Sequence, residues 1–522
     1  MILDASIGLL YGYSLLNGID RLVSGALPGD MVWLLQAVQM ISGGFFFVKI
    51  LFDDVSEGWL RTIAIAISPL FLLIFTLLTI EFVLQGREVS ALITLDSSSI
   101  GTTTLTWAAT YLSIAVGLTL TYRVQRYGNF AQSEHFMLGM YTSMLMVWSD
   151  YFFPLSHSPR DGTLIWTILL STLIAAFLFS GITGVVVDRL VYSGFRKKNT
   201  TPQVMMIASL GVALILRAIT YLRFGSDSKI FSPGADWRRP DLRWNIPTTK
   251  LRLNLGVREL AEKPSGEFNE ETGEPIMEPG VYSSPTCGQS TNPETGELMF
   301  NEATMEPVME RVQLEGSKPL YEVYDMATDC VTASTTGYPF YKAALPAVVF
   351  SSVILLVLLL NKTRLGRRMR AVADNPDLAA SSGINVERIQ LTSAFLSAGI
   401  SGVGGAIFAM TFRFSPETAF GLLLPSFAVI VLGTIGSLPG VIFGSLIVGF
   451  VRALSSPILI GIGSPLDRSN YSALDEVMPY IFLVAILMIM PKGIGDAYET
   501  WKVNRLRRLA EENQDPSAVS LG

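Results

Sequence analysis

The chain has 522 residues, of which 50% are hydrophobic and only 16% are charged. Soluble domains carry about 25% charged residues, so this composition indicates a membrane protein and excludes an ordinary soluble fold. The two histidines and two cysteines are too few for a zinc cluster, a haem pair or an iron–sulfur site. We therefore expect no metal and no cofactor.

Apolar blocks of about 20 residues, the length that crosses about 30 Å of hydrocarbon, recur along the chain. They predict an all-α polytopic membrane protein with eleven transmembrane helices. Two blocks are weak, because residues 130–148 begin with a polar stretch and residues 421–435 are few; either could be re-entrant. The predicted spans are residues 31–51, 62–83, 104–122, 130–148, 163–187, 203–224, 343–360, 391–410, 421–435, 441–460 and 476–490.

Lysine and arginine cluster in three connections, which are residues 192–201, residues 361–390 and the tail after Trp501. An even number of predicted spans separates each pair of these connections, so one orientation places all three on the cytoplasmic side. The sequence therefore predicts a multi-pass protein of the cytoplasmic membrane with its C-terminus inside. Its N-terminus and the long connection 225–340 are then outside.

The connection 225–340 differs from the rest of the chain because it holds 19 acidic and 10 basic residues. Residues 268–279 (FNEETGEPIMEP) recur in similar form at 300–311 (FNEATMEPVMER). Glycine-containing polar clusters between short apolar stretches are typical of hairpin turns. We therefore expect a small extracytoplasmic, β-rich insertion domain.

Cys287 and Cys330 are the only cysteines of the chain, and both fall in this insertion. On the outer side they would face an oxidising compartment, where a disulfide could stabilise a domain with little core. Two unpaired thiols are the alternative. Asn470 begins an N-glycosylation sequon in another predicted outer connection.

The sequence contains no G-x-x-x-x-G-K-[ST] phosphate loop, no G-x-S-x-G elbow and no H-E-x-x-H motif. These motifs bind nucleotide phosphates, present a serine nucleophile or bind zinc. We therefore do not expect the chain to be an enzyme.

The inside connection 361–390 contains a predicted short helix after five basic residues. The stretch Asp377-Leu-Ala-Ala-Ser-Ser-Gly383 follows Asp374, Asn375 and Pro376. Asp374 or Asn375 can cap the helix start, proline suits the first position, and Gly383 can provide a left-handed end. Small residues on such a helix let another protein approach closely, although ordinary loop helices share this composition.

The run GRRMRAVADNPDLAASSGINVERI at residues 366–389 resembles the cytoplasmic coupling loop of ABC-importer permeases for branched-chain amino acids. That family also includes urea and short-chain amide permeases. Further stretches resemble the same family in the same order. They are residues 127–141 (YGNFAQSEHFMLGMY), 187–192 (VDRLVY), 207–211 (IASLG), 426–454 (SFAVIVLGTIGSLPGVIFGSLIVGFVRAL) and 490–495 (MPKGIG).

The resemblance implies a permease subunit that moves branched-chain or related small amino acids across the cytoplasmic membrane. It implies three kinds of partner: a second related permease, ATPase subunits that hydrolyse ATP, and an extracytoplasmic solute-binding protein. It also implies docking of the ATPase on Asp377, Ala379, Ala380 and Gly383. The alternatives are a urea or short-chain amide permease, a self-sufficient secondary transporter, and an external sensor held by many spans.

Polar and small residues in the predicted spans are candidates for the translocation pathway or for helix packing. A carboxylate at membrane depth is costly and usually faces a cavity or a partner. Glu134, together with Asn129 and beside Phe130, could contact a solute ammonium group; alternatively, Glu134 pairs with Arg123 or Arg126. Small residues let helices pack closely, and packing is the preferred role of Gly399, Gly402, Gly404, Gly405, Gly436, Gly440 and Gly444.

Several residues depart from the family pattern. Gln132 and Ser133 stand where the family typically has His-Gly before the glutamate, and Arg217 and Arg452 lie within spans. We expect both arginines to snorkel from the outer ends of their spans. These departures leave the solute open.

The sequence predicts a division into five parts. The permease core is expected at residues 104–224 and 341–495, with the coupling loop at 361–390. The remaining parts are additional N-terminal spans at 1–103, the insertion at 225–340 and a cytoplasmic tail at 496–522.

Overall fold

The computed structural model describes part of the chain. The predicted spans 31–51 and 62–83, the tail 496–522, Cys330 and Asn470 lie outside the described residues. The disulfide and the glycosylation therefore stay predictions. The described residues are 90–148, 166–198, 200–230, 243–256, 263–268, 275–278, 281–289, 299, 308–315, 321–324, 334–463 and 478–481.

The chain groups into two compact units. The first, the sheet unit, is drawn from residues 1–96, 248–334 and 457–473. The second, the helical unit, is drawn from residues 97–247, 335–456 and 474–522.

Helices dominate the described residues. A π-helical turn, Asp188–Tyr192, continues α3 directly into α4. The α-helices are α1 Ser97–Gln125, α2 Gln132–Trp148, α3 Trp166–Val187, α4 Ser193–Lys197, α5 Pro202–Phe224, α6 Phe340–Lys362, α7 Arg364–Asp374, α8 Pro376–Ser381, α9 Val386–Ala409, α10 Thr418–Leu432 and α11 Leu438–Gly463.

Among the described residues, six helices are long and apolar enough to cross a membrane. They are α1, α3 with its extension to Lys197, α5, α6, α9 and α11, and each overlaps a predicted span. The two weak blocks are also helical, but α2 has 17 residues and α10 has 15. The mostly helical membrane fold is confirmed, and the total of eleven spans stays a prediction.

Helix α9 packs against α1, α2 and α3. Its glycines make the close approach possible, because each meets a different neighbour. Gly402 lies against Ser180 of α3, Gly404 against Ser113 of α1, and Gly405 against the carbonyl group of Phe136 in α2. Lipid chains are as apolar as leucine, so close packing of this kind is the main attraction between helices in a membrane.

Helix α2 begins deep inside the helical unit. The chain leaves α1 through Arg126, which has a left-handed φ of 63°. At the start of α2 the Gln132 amide donates to Ser397 O and Ser401 Oγ, both at 2.7 Å, and it lies beside Gly117 of α1. Gly117 is roughly two turns before the end of α1, so the connection turns back by about 12 Å along that helix.

Helices α10 and α11 form an antiparallel hairpin. Gly440 of α11 approaches Gly433, which ends α10, and Gly444 approaches the Val429 carbonyl group. Between the helices, Thr434 and Gly436 have left-handed φ values of 70° and 92°, and these permit the tight reversal. Small residues therefore bring the two backbones of the hairpin together.

The sheet unit contains an antiparallel sheet in the order β1-β3-β8. In its register Ser90 pairs with Gly256, Asp96 with Lys250, and Leu253 with Tyr321. The sheet unit also contains the two-stranded pairs β4-β5 and β6-β7, whereas the pair β2-β9 belongs to the helical unit. The strands are β1 Ser90–Asp96, β2 Arg243–Pro247, β3 Lys250–Gly256, β4 Lys263–Phe268, β5 Pro275–Glu278, β6 Val281–Gln289, β7 Met309–Glu315, β8 Tyr321–Tyr324 and β9 Thr335–Pro339.

Strand β1 was not anticipated from the sequence. It precedes the predicted permease core, yet it pairs with β3, which lies in the predicted insertion. Its alternation of buried Ala91 and Ile93 with exposed Leu92 is the period of two expected for a half-buried strand. Strands β2–β9 fall within residues 225–340, and the separate external domain predicted there stays a prediction.

The contact between α2 and α9 generates a stability prediction. A Cβ atom at Gly405 would overlap the Phe136 carbonyl oxygen, so Gly405→Ala should destabilise the protein by about 1–3 kcal/mol, the usual cost of overpacking. The matched control is Gly211→Ala, whose Cβ would meet nothing within 4 Å. Thermal unfolding of the detergent-solubilised protein measures both, and equal midpoints for the two variants would contradict the prediction.

Candidate functional site

The loop 361–390 folds as two short helices at one end of the helical unit. Helix α7 is amphipathic: Met369 and Val372 are buried, while Arg367 and Arg368 are exposed. The Thr363 hydroxyl accepts a hydrogen bond from Gly366 N at 3.2 Å and caps the helix start. The helix thus presents basic side chains outward.

Helix α8 has the caps that the sequence predicted. The Asn375 side chain accepts hydrogen bonds from the N–H groups of Asp377 and Leu378 at 3.0 and 3.1 Å. At the other end, Gly383 has a φ of 82°, which a residue with a Cβ rarely adopts. The N–H groups of Gly383 and Ile384 donate to the carbonyl oxygens of Ala380 and Ala379, both at 3.0 Å, so local hydrogen bonds define both ends of α8.

The exposed surface of α8 differs from the sequence prediction at one position. Asp377, Ala380 and Gly383 are exposed, but Ala379 is only 4% exposed and packs into the core of the bundle. Leu378 is 66% exposed instead. Leu378 is an apolar side chain in a polar loop, and the sequence analysis did not include it among the candidate docking residues. Docking of an ATPase on Asp377, Ala379, Ala380 and Gly383 stays a prediction.

Hydrogen bonds connect the two flanks of α8 to the neighbouring helices of the helical unit. The Arg126 guanidinium donates to the Ala373 carbonyl oxygen at the end of α7. The Gln125 amide donates to the Gln390 carbonyl oxygen at 3.2 Å, and Arg370 donates to Leu360 O at 2.6 Å. Both flanks of α8 are thereby attached to the bundle, and the end of α1 contributes to each attachment.

Glu134 forms a buried ion pair with Arg217 of α5. Arg217 is only 9% exposed, and its guanidinium carbon lies 4.2 Å from the centre of the Phe420 ring. The predicted pairing of Glu134 with Arg123 or Arg126 is therefore wrong. The snorkelling predicted for Arg217 is also wrong, because the buried carboxylate draws the guanidinium inward.

Arg452 is also directed into the bundle. It is 6% exposed, it donates a hydrogen bond to the Tyr111 hydroxyl at 2.6 Å, and its guanidinium carbon lies 3.4 Å from the centre of the Trp107 ring. The snorkelling predicted for Arg452 is thus wrong too. The face of an indole ring stabilises a desolvated cation, which explains how the charge is tolerated there.

Asn129 and Phe130 lie in the connection between α1 and α2. The Asn129 side chain accepts hydrogen bonds from Ala131 N and from the Tyr192 hydroxyl, both at 3.1 Å. Phe130 is half-buried and packs on Phe427 of α10, with 5.2 Å between ring centres. The candidate pathway residues predicted from the sequence therefore make separate contacts. The sequence analysis did not connect two charged residues, Arg217 and Asp188, with these candidates.

Ionisable residues buried among membrane helices, such as Glu134 and Arg217, often belong to the pathway of a transported solute or ion. The family described as the branched-chain amino acid transport system permease component matches residues 101–235 and 309–490, more than half of the chain. The chain therefore belongs to this family of ABC transporter permeases and is a multi-pass protein of the cytoplasmic membrane.

Individual relatives support the same family. The high-affinity branched-chain amino acid permease LivH of Salmonella typhimurium is 23% identical over 400 residues, which cover 76% of this chain and 95% of LivH. The probable LivH of Methanocaldococcus jannaschii is 30% identical over 32% of this chain and 52% of its own length. The nucleoside ABC permease NupC of Lactococcus lactis is 31% identical over 30% of this chain and 52% of its own length.

No solved structure matches the chain detectably. The relatives are permease subunits of transporters and not enzymes. Because both amino acid and nucleoside permeases are among them, the family membership leaves the solute undecided.

The Glu134–Arg217 pair generates a second stability prediction. Removing one partner of a buried ion pair leaves an uncompensated charge and typically costs about 3–5 kcal/mol. Arg217→Met should therefore lower the thermal midpoint strongly, whereas the double variant Glu134→Gln with Arg217→Met should recover much of the loss. A double-mutant cycle measured by thermal unfolding in detergent tests this, and additive effects of the two substitutions would contradict it.

Proposed function

We propose that the chain is the permease subunit of an ABC importer that moves branched-chain or related small amino acids into the cell. Separate ATPase subunits drive transport, a second related permease completes the membrane channel, and an extracytoplasmic binding protein delivers the solute. The observation that carries the proposal is α8, a helix with both ends capped that stands exposed in a basic loop. The chain has no phosphate-binding loop of its own, so ATP hydrolysis must come from a partner.

The exposed residues of α8 suit a docking role. Leu378 supplies an apolar side chain, which gains free energy when a partner buries it, and Asp377 beside it can accept hydrogen bonds. Ala380 and Gly383 are small enough for close approach of a groove. The buried Ala379 would hold α8 against the bundle, so that a partner moving α8 would also move the membrane helices.

The Glu134–Arg217 pair supports a zwitterionic solute. A carboxylate and a guanidinium side by side can accept the ammonium and carboxylate groups of an amino acid. Phe420, which is 42% exposed beside Arg217, offers apolar surface for an aliphatic side chain. A neutral nucleoside, urea or amide would not compensate for separating the two buried charges.

A nucleoside permease is the second candidate, because a nucleoside ABC permease is among the similar proteins. The match covers about half of that permease. The buried ion pair favours an amino acid as the solute. Competition between leucine and guanosine in an uptake assay distinguishes the two candidates.

Purification of the complex tests the proposed function. A C-terminally tagged chain, extracted from its native membranes in mild detergent, should carry an ATPase and a second permease in comparable amounts. Reconstituted in liposomes with its binding protein, the complex should take up leucine in the presence of ATP, and excess guanosine should not compete. Recovery of the chain alone, even after crosslinking, would overturn the proposal that separate ATPase subunits and a second permease work with it. Competition by guanosine would assign a nucleoside as the solute.

Docking through α8 generates a prediction for two of its residues. Leu378→Asp and Gly383→Trp should leave the amount of protein in the membrane almost unchanged, because Leu378 is exposed and a Cβ on Gly383 would meet nothing within 4 Å. Adopting the left-handed conformation at position 383 costs only about 1–2 kcal/mol. Both variants should lose ATPase binding and ATP-dependent uptake.

The matched control is Gly194→Trp, at another glycine with open space around it, in the helix α4. This variant should retain ATPase binding. Pull-down of the ATPase and uptake in proteoliposomes measure the difference, and full uptake by Leu378→Asp at normal expression would count against docking through α8.

A further inference from the structure

The π-helical turn Asp188–Tyr192 directs two polar side chains into the bundle. Asp188 is fully buried and Tyr192 is 2% exposed. A π-helical turn inside an α-helix is rare and is frequently found at a functional site. Here it lies near the end of a 29-residue apolar helix that extends from Leu169 to Lys197.

The two side chains belong to a connected polar cluster, which we define as Gln125, Asn129, Asp188, Tyr192 and Arg196. Asp188 accepts two hydrogen bonds from Arg196, at 2.8 and 2.6 Å, and one from the Gln125 amide at 3.3 Å. The Tyr192 hydroxyl donates to Asn129 at 3.1 Å. The Asp188 cluster is thus held by charge-assisted and buried hydrogen bonds, which are strong in a medium of low dielectric constant.

The cluster connects the loop 361–390 with the start of α2. On the loop side, Gln125 also donates to Gln390 O, and its neighbour Arg126 donates to Ala373 O. On the other side, Asn129 accepts from Ala131 N just before α2. Glu134 lies in the first turn of α2. Hydrogen bonds, together with the backbone of the π-helical turn and of residues 125–126, therefore connect both flanks of α8 to the helix that carries the intramembrane ion pair.

The connection between α1 and α2 has the local properties of a hinge. Arg126 has a left-handed φ of 63°, and the chain then passes Gly128 before α2 begins. A small polar cavity, with room for about one water molecule, is bordered by Gln125, Tyr127, Asn129, His135, Asp188 and Tyr192. Interiors are otherwise close-packed, so this space leaves the side chains of the cluster room to change position when α2 moves.

We propose that the Asp188 cluster transmits the displacement of α8 to α2 and thereby couples ATP hydrolysis to solute movement. This inference rests on the proposed function. The Tyr192–Asn129 hydrogen bond is the step that connects the π-helical turn to α2. Tyr192 and Asn129 are positioning residues, because they act through α2.

Two neighbouring tyrosines provide a matched pair of variants. The Tyr127 and Tyr192 rings pack edge to face with 5.5 Å between their centres. The Tyr192 hydroxyl bonds to Asn129, whereas the buried Tyr127 hydroxyl makes no hydrogen bond within the described residues. Tyr192→Phe therefore removes the hydrogen bond to Asn129, whereas Tyr127→Phe leaves that bond in place.

The experiment measures leucine taken up per ATP hydrolysed, with the full complex in proteoliposomes. Tyr192→Phe should keep ATPase binding and hydrolysis but lower this ratio about fivefold, the effect expected for one lost buried hydrogen bond. Tyr127→Phe should match the wild type. Gln125→Met removes the connection to Gln390 and should also lower the ratio, which keeps the test decisive if Tyr192→Phe folds poorly.

An unchanged ratio in both Tyr192→Phe and Gln125→Met would overturn the proposal. Equal losses in Tyr192→Phe and Tyr127→Phe would also overturn it, because ring packing and not the hydrogen bond would then be responsible. Failure of the proposed function appears separately, as wild-type complex that shows no ATP-dependent uptake at all.

Discussion

The close approach of α9 to α1, α2 and α3 is the contact on which the helical unit depends. Glycine at 402, 404 and 405 lets three backbones reach one helix. In lipid this packing replaces the hydrophobic effect as the force that holds helices together. The central position of α9 also matters for α8, because α9 follows α8 in the chain. The helix at the centre of the bundle is therefore attached directly to the segment proposed to bind the ATPase.

Three arginines of the helical unit are compensated by different neighbouring groups. Glu134 neutralises Arg217, Asp188 neutralises Arg196, and Arg452 lies over the Trp107 ring and donates to the Tyr111 hydroxyl. Buried charges of this kind are expensive, and hydrophobic residues of similar volume often stabilise a protein as well or better. Close packing alone does not need such charges, which is the physical reason for proposing that the Glu134–Arg217 pair binds solute and that the Asp188 cluster transmits movement.

The loop 361–390 was predicted well because its structure is local. Asn375, Pro376 and Gly383 determine the ends of α8 through contacts within a few residues. The orientation of α8 could not be predicted in the same way. Whether Leu378 or Ala379 faces outward depends on how the helix sits on the bundle, and a six-residue helix has too little periodicity to show its buried face.

The sequence by itself determined the membrane character, the positions of the six long spans found among the described residues, the capped helix and the family. These properties follow from composition, from runs of apolar residues and from motifs that are contiguous in the chain. Only the tertiary structure decided which charges meet. Glu134 and Arg217 are 83 residues apart, and Arg452 and Tyr111 are 341 residues apart. A long cationic side chain can snorkel or turn inward, and the choice depends on partners that helix packing brings within reach.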